Sequence, residues 1–190
     1  MKRIFSLLFV CLGILLIFLS IGKIGKNIYY DYLTVKESNK VLKVINDNIN
    51  EKKDIEVAKV IGNLPVVNVE DKGYIGIIRI PKYEIVLPIL SDWNEENAKI
   101  LPCRYVGNLD DEPLIIAGHN SSKQFNCLNK LSVGDIVQFV YKEGNVFEFE
   151  VYEKLVIDEY DVEQMVNTSY RLTLFTCTDD DSARVTIRCI

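Results

Sequence analysis

The hydrophobic pattern of the chain changes period twice. Residues Ile4 to Ile21 carry no charge and are mostly Leu, Ile, Phe and Val. A spanning helix needs about 17–25 such residues, so this run predicts a membrane-crossing helix. A cleaved leader has a shorter apolar core and a small-x-small cleavage site. Here Gly22-Lys23-Ile24-Gly25-Lys26 follows instead, and Cys11 is preceded by Phe9 and Val10 rather than by small residues. An uncleaved anchor over residues 1–26 is expected. From Asn27 to Lys53 the pattern turns amphipathic. Apolar residues recur at Leu33, Val35, Val41, Leu42, Val44, Ile45 and Ile49, with no Pro or Gly between them. The segment predicts a helix that acts as a spacer, docks on the domain, or stands solvated. Gly62-Asn63-Leu64-Pro65 breaks any helix, and Val66 to Lys72 reads as an extended connection. Residues 27–72 thus form a helical stalk and linker, and the folded domain is expected over 73–190.

From Tyr74 onward the signals are those of strands. Tyr74 to Ile80 and Ile85 to Ile89 are β-branched runs punctuated by Pro81 and Pro88. Trp93 to Ile100 suggests a short helix, with Asn94, Glu95 and Glu96 early in it. Arg104 to Asn108 leads into an acidic turn, Asp110-Asp111-Glu112-Pro113. Leu114 to Ala117 has the composition of a buried strand, and Phe125 to Leu131 reads as a short helix or turn. Ile136 to Tyr141 and Val146 to Ile157 pair as a hairpin across Lys142-Glu143-Gly144-Asn145. Arg171 to Cys177 and Arg184 to Ile190 complete the sheet. Many short strands with turn punctuation imply an all-β barrel or sandwich.

Composition removes some function classes. The chain has 22 basic and 27 acidic residues, which speaks against a nucleic-acid binder and against a polybasic membrane patch. Cys11, Cys103, Cys127, Cys177 and Cys189 include no CxxC pair, and the single histidine cannot complete a usual zinc set. A disulfide between two of Cys103, Cys127 and Cys189 is compatible with an extracellular domain. Three other residues carry candidate chemistry. Cys177 ends an apolar strand, His119 follows another, and Arg184 opens the last one. A cysteine, a histidine and an arginine at strand edges suggest a cysteine-nucleophile enzyme.

Thr173-Leu174-Phe175-Thr176-Cys177 with Arg184 resembles the TLxTC…R signature of the sortases. Ala117-Gly118-His119-Asn120 resembles their histidine motif. Gly73-Tyr74-Ile75-Gly76-Ile77-Ile78-Arg79-Ile80-Pro81 with Leu87-Pro88-Ile89 resembles their opening strands, and Leu131-Ser132-Val133-Gly134-Asp135 the turn after the histidine segment. The blocks stand in the family's order. The resemblance implies a sortase-type eight-stranded β-barrel with short helices. It implies a membrane-anchored cysteine transpeptidase of a Gram-positive-type bacterium, acting on secreted proteins that carry an LPxTG-like sorting signal. Cys177 would be the nucleophile, His119 the acid/base and Arg184 the oxyanion or substrate clamp. Asn120 and Thr176 are further candidates for substrate contact, Thr176 through its backbone or hydroxyl, with plain strand propensity as its rival. The acceptor would be a peptidoglycan amine, with a pilin lysine amine, water, or a non-catalytic binding role as alternatives. The short Glu150 to Thr173 region lacks a long helical insertion and looks nearer to class D or class A. No cofactor is expected. Some sortases hold Ca²⁺ on loop carboxylates, for which Asp110, Asp111, Glu112, Asp158, Glu159, Asp161 and Glu163 are the candidates, although plain solvated loops are the favoured account of them. Lys2 and Arg3 are balanced by Lys23 and Lys26 across the apolar run; the resemblance, not the charge, places the domain outside the cell.

Overall fold

The computed structural model describes residues 2–51, 57–61, 64–109, 112–141 and 145–190. One helix, α1 (Lys2–Glu51), runs through the apolar stretch and the amphipathic stretch without a break. At 1.5 Å per residue it is about 75 Å long. Residues 9–29 are exposed all round, as suits a segment whose solvent is lipid. Among the described residues it is the one helix long and apolar enough to cross a membrane. Beyond residue 29 burial becomes periodic. Thr34, Ser38, Val41 and Ile45 are buried at helical spacing, so this part of α1 docks on the domain rather than standing free. Val35, counted in the apolar pattern, faces solvent. The side chain of Ile49, and residues Lys52 and Lys53, lie outside the described set, as do Gly62 and Asn63 of the expected helix break.

Among the described residues ten strands follow, with two further α-helices. They are β1 (Val57–Ile61), β2 (Leu64–Val69), β3 (Lys72–Ile80), β4 (Ile85–Leu90), α2 (Glu95–Ile100), β5 (Cys103–Val106), β6 (Leu114–Ala117), β7 (Ile136–Val140), β8 (Val146–Asp158), α3 (Val162–Val166), β9 (Leu172–Cys177) and β10 (Ala183–Cys189). Two 3₁₀ turns, Pro81–Tyr83 and Phe125–Lys130, complete the described elements. The strand order is β1-β2-β3-β4-β5-β6-β9-β10-β8-β7, and β7 returns to pair with β3. Ile77↔Val140, Ile78↔Phe139 and Arg79↔Gln138 make that closure. Eight strands, β3 to β10, therefore form a closed barrel, which removes the open edges that a flat sheet would leave.

The β1–β2 hairpin is added to the barrel at the start of β3, through Val67↔Tyr74 and Val69↔Lys72. Val66, Val67 and Val69 are buried in the same core as the barrel residues. The segment expected as a plain extended connection is thus a sheet strand, and the core draws on residues upstream of Gly73. Each short helix has a cap that explains where it begins. Asn94 Oδ1 accepts from the Asn97 N–H at the start of α2, and Asp161 Oδ1 from the Gln164 N–H at the start of α3.

The barrel interior is filled by alternate residues of every strand, among them Ile78, Ile80, Ile89, Leu114, Ile116, Phe139, Val151, Leu174 and Ile187. A smaller cluster lies outside the wall, where Ile115, Ile157 and Met165 pack with Tyr105, Leu155 and Phe175. This outer layer buries the second face of β6, which has no exposed residue. Ile78 faces Leu87 on one side and Phe139 on the other, at the closure. Ile78→Ala is expected to cost about 2–5 kcal/mol through the cavity it leaves. Exposed Val86→Ala on the neighbouring strand should stay within about 0.5 kcal/mol. Urea unfolding of the two variants checks the contrast.

Candidate active site

The site is generated by strand pairing. β6 and β9 run parallel, with Ala117 opposite Phe175, and the Gly118 N–H continues the ladder to the Phe175 carbonyl at 3.0 Å. Carried two residues on, that register sets His119 level with Cys177. β10 runs antiparallel to β9 and places Arg184 opposite Cys177. Neighbouring strands lie about 4.8 Å apart. The histidine, the cysteine and the arginine thus form a row across three adjacent chain segments. Strand alternation puts Cys177 and Arg184 on the outer face with Phe175, while Leu174, Thr176, Val185 and Ile187 face the interior. Arg188 sits four residues further on, opposite Thr173. Its guanidinium pairs with Glu153, donates to the Gln164 carbonyl at 2.8 Å and lies over the Tyr170 ring. It braces the β8–β9 connection away from Cys177.

The loop that carries His119 is tightly built. The His119 carbonyl accepts from the N–H groups of Ser121 and Phe125, and the His119 N–H donates to Gln124 Oε1 at 3.1 Å. Gly118 is required by its neighbour: a Cβ there would come within 2.4 Å of the Phe125 ring. Asn120 bridges two loops. Its Nδ2 donates to Asp179 Oδ1 at 2.9 Å, in the turn after Cys177, and its Oδ1 accepts from Asn126 Nδ2 at 2.8 Å. It thereby fixes the histidine loop against the cysteine turn.

Arg184 is oriented by its own turn. Nη1 donates to the carbonyls of Asp181 and Ala183, and Nη2 reaches Glu159 at 3.5 Å. Burial raises the pKa of the Cys177 thiol above its ordinary value; Arg184 pulls it down, while Asp181 and Glu159 push it further up. Burial lowers the pKa of His119, with Lys99 acting in the same sense and Asp181 and Asp31 opposing it. Burial thus favours the uncharged form of each group, thiol and imidazole. Burial drives the pKa of the thiols of Cys103 and Cys189 up to about 12 and that of Cys127 up to about 11. These three are free and buried, whereas Cys177 is partly accessible.

Two clefts flank the row. On the outer face, Trp93, Tyr105, Val162, Met165 and Phe175 line a mainly apolar groove of about 170 Å³, whose wall also includes Asp158, Glu159, Asp161 and Arg184. Trp93, Tyr105 and Phe175 meet edge to face along it. On the other side a cleft of about 460 Å³ is lined by His119, Asn120, Thr178, Asp179 and Asp181, with Lys23, Lys26, Asn27 and Tyr30 of α1 and Lys99 of α2.

The structure brings together His119, Cys177, Arg184 and Asn120. It does not bring the Thr176 hydroxyl to them: that side chain is buried in the interior, and its Oγ1 has no hydrogen-bond partner. Only its backbone adjoins the cysteine. Of the carboxylates considered for Ca²⁺, Asp110 and Asp111 lie outside the described residues. Asp158 and Asp161 accept from local backbone N–H groups, and Glu159 turns to Arg184. Among the described residues no group of three or more His, Cys, Asp or Glu side chains is gathered to hold a metal. Sequence reasoning passed over Asp181, which acts on both Cys177 and His119, and Tyr30, whose ring meets His119. Asp181 read only as part of a polar turn. Tyr30 heads the spacing Tyr30, Thr34, Ser38, a helical period that a count of apolar residues alone does not register.

A family model described as a sortase domain matches residues 78–190. No protein with a curated description matches the chain. Several solved structures share its fold. A sortase D5 transpeptidase from Clostridium perfringens is 17% identical, with a TM-score of 0.57 over 84% of this chain and 99% of that one. A lid mutant of sortase A from Corynebacterium diphtheriae is 21% identical, with a TM-score of 0.55 over 63% and 70% of the two chains. Sortase C1 from Streptococcus agalactiae is 24% identical, with a TM-score of 0.54 over 65% and 70%. These likenesses carry the eight-stranded barrel, and the domain match, which spans more than half of the sequence, carries the family: the chain belongs to the sortases, the cysteine transpeptidases.

Proposed function

We propose that the protein is a membrane-anchored transpeptidase that cleaves an LPxTG-like sorting signal through a thioacyl intermediate on Cys177 and passes the acyl group to a peptidoglycan amine. The row of His119, Cys177 and Arg184 supports this reading most directly. The Cys177 proton moves to His119, and the thiolate adds to the carbonyl carbon of the Thr–Gly bond. Arg184 faces the oxygen that becomes negative. The C–N bond breaks as His119 returns its proton to the leaving amine, which leaves a thioester. The incoming amine attacks the thioester and gives its proton to His119, and the thiolate is expelled. No step in this sequence calls for a cofactor. The apolar groove beside Phe175 suits the Leu and Pro side chains of the signal. The β8–β9 connection, with only the five-residue α3, keeps the compact layout expected of class A or class D. The apolar part of α1 supports a single-pass anchor, with the domain outside.

The reading is tested by incubating the protein with an LPxTG-type peptide library with and without an amine. Transfer to a peptidoglycan-type amine is expected. Release by water alone, transfer only to a pilin lysine, or binding without cleavage would each replace it with a different role. Cell fractionation should find the intact chain with the membrane; a soluble form in the medium, beginning after Gly22, would remove the anchor.

The row also predicts the mutational pattern. Cys177→Ala should abolish the thioacyl adduct, while Cys103→Ala, Cys127→Ala and Cys189→Ala should still form it, as read by intact mass. Arg184→Ala should lower turnover by about 10²-fold or more, and Arg184→Lys should restore little, because a point charge lacks the planar fork. Arg188→Ala should spare the chemistry. A crippled Arg188→Ala beside a normal Arg184→Ala would overturn the assignment.

The pH profile of transfer should be a bell. Its acid limb reports chiefly His119 and its alkaline limb chiefly Cys177. The Asp181 carboxylate raises the pKa of both groups. Removing that negative charge lowers both, so Asp181→Asn should move both limbs to lower pH. Limbs that stay put, or move apart, would contradict the electrostatics given above.

A further inference from the structure

Helix α1 does more than touch the barrel: three of its residues hold the loop that carries His119. The Tyr30 ring meets the His119 ring edge-on, with 6.4 Å between centroids and 72° between planes. Asp31 Oδ2 accepts from Ser122 Oγ at 2.8 Å. Thr34 Oγ1 donates to the Ile100 carbonyl at 2.7 Å and accepts from Gln124 Nε2 at 3.3 Å. Gln124 is fully buried. Its Nε2 also reaches the Lys99 carbonyl at 3.0 Å, and its Oε1 takes the His119 N–H. A continuous path thus runs from the helix, through a buried amide, to the histidine backbone, while a ring from the same helix covers the imidazole. Tyr29 and Tyr32, on either side, are mostly exposed, so the contact belongs to the docked face and not to tyrosine content.

We infer that the membrane-proximal part of α1 is a wall of the catalytic site, and that Tyr30 is a positioning residue that shields the His119 ring from water and fixes its plane. The inference rests on His119 being the acid–base group of the proposed reaction. Tyr30 contributes ring surface rather than its hydroxyl, since the contact is between ring and ring. Charged and titratable groups face His119 from every side. They are Lys23, Lys26 and Asp31 on α1, Lys99 on α2, and Asp179 and Asp181 in the β9–β10 turn, with Cys177 level with it in the β6–β9 register. Burial is the largest influence on the imidazole and lowers its pKa, whereas Asp31 raises it. Two substitutions on the same helix therefore act in opposite senses. Loss of the Tyr30 ring admits water and lets the imidazole protonate more readily. Loss of the Asp31 charge, with an oxygen acceptor kept for Ser122, makes protonation harder.

His119 is the only histidine in the chain, so its ring resonances in an NMR titration of the full chain in detergent micelles report it alone. The midpoint should move up in Tyr30→Ala, stay at the parent value in Tyr30→Phe, and move down in Asp31→Asn. A midpoint unaffected by Tyr30→Ala, or one that moves the same way in Tyr30→Ala and Asp31→Asn, would overturn the inference. So would a Tyr30→Phe variant that behaves like the alanine. No substrate enters the measurement, so failure of peptide transfer would leave this test intact, and the inference can fail while transfer succeeds.

Discussion

The parallel pairing of β6 with β9 is the constraint on which the site depends. It is short, four Cα partners long, yet its register sets a residue near position 119 beside one near 177. A slip of one residue would turn Cys177 to the interior, where Thr176 now lies, and would part it from His119. The register is held because β6 is buried on both faces. Leu114 and Ile116 enter the barrel core, and Ile115 enters the outer cluster with Ile157 and Met165. Parallel strands are stable where both faces are covered. The outer layer formed by α3 and the end of β8 therefore helps to hold the row, although none of its residues stands in it. The same layer supplies Met165 and Val162 to the apolar groove, so the element that fixes the register also shapes the surface next to the row.

Much of the barrel could be read from the chain, because its signals are local. Tyr74 to Ile80, Ile85 to Ile89 and the hairpin around residues 142–145 announce themselves by β-branched runs and turn residues. Leu114 to Ala117 does so by an unbroken apolar run. Asn94 marks the start of α2 through its cap. The closure of β7 on β3 leaves no such mark, since it joins segments some sixty positions apart and depends on both having a free edge. The segment Val66 to Val69 reads as an extended connection for a related reason: it becomes a strand only because the start of β3 offers it an edge. Likewise the row itself is silent in the spacing of residues 119, 177 and 184; the expectation that they meet came from resemblance to a family. The docked face of α1 was half legible. Val41 and Ile45 obey the apolar period, but Tyr30, Asp31 and Thr34 dock through ring contact and hydrogen bonds, which a hydropathy pattern does not weigh.

The electrostatics of the row set a conflict that the architecture resolves. An ordinary thiol and an ordinary imidazole are already about two pKa units apart, so the neutral pair leads the ion pair by roughly 3 kcal/mol. Burial raises the thiol and lowers the imidazole, which widens that lead. Arg184 favours the thiolate, and Asp181 favours the imidazolium while opposing the thiolate. Neither charge could be strengthened freely. A second cation near Cys177 would also disfavour a protonated His119, which the proposed mechanism uses to supply the leaving group's proton, and a second carboxylate would do the reverse. Arg184 and Asp181 oppose each other at the thiol, and Asp181 alone of the two acts on the imidazole as well. The turn between β9 and β10 supplies both, since Asp181 and Arg184 lie three residues apart and the Asp181 carbonyl accepts from Arg184 Nη1. One short turn therefore sets the thiol, the imidazole and the guanidinium together. The turn is braced by the Thr178 hydroxyl on Asp180 and by Asn120 on Asp179, so the proposed chemistry depends on its shape.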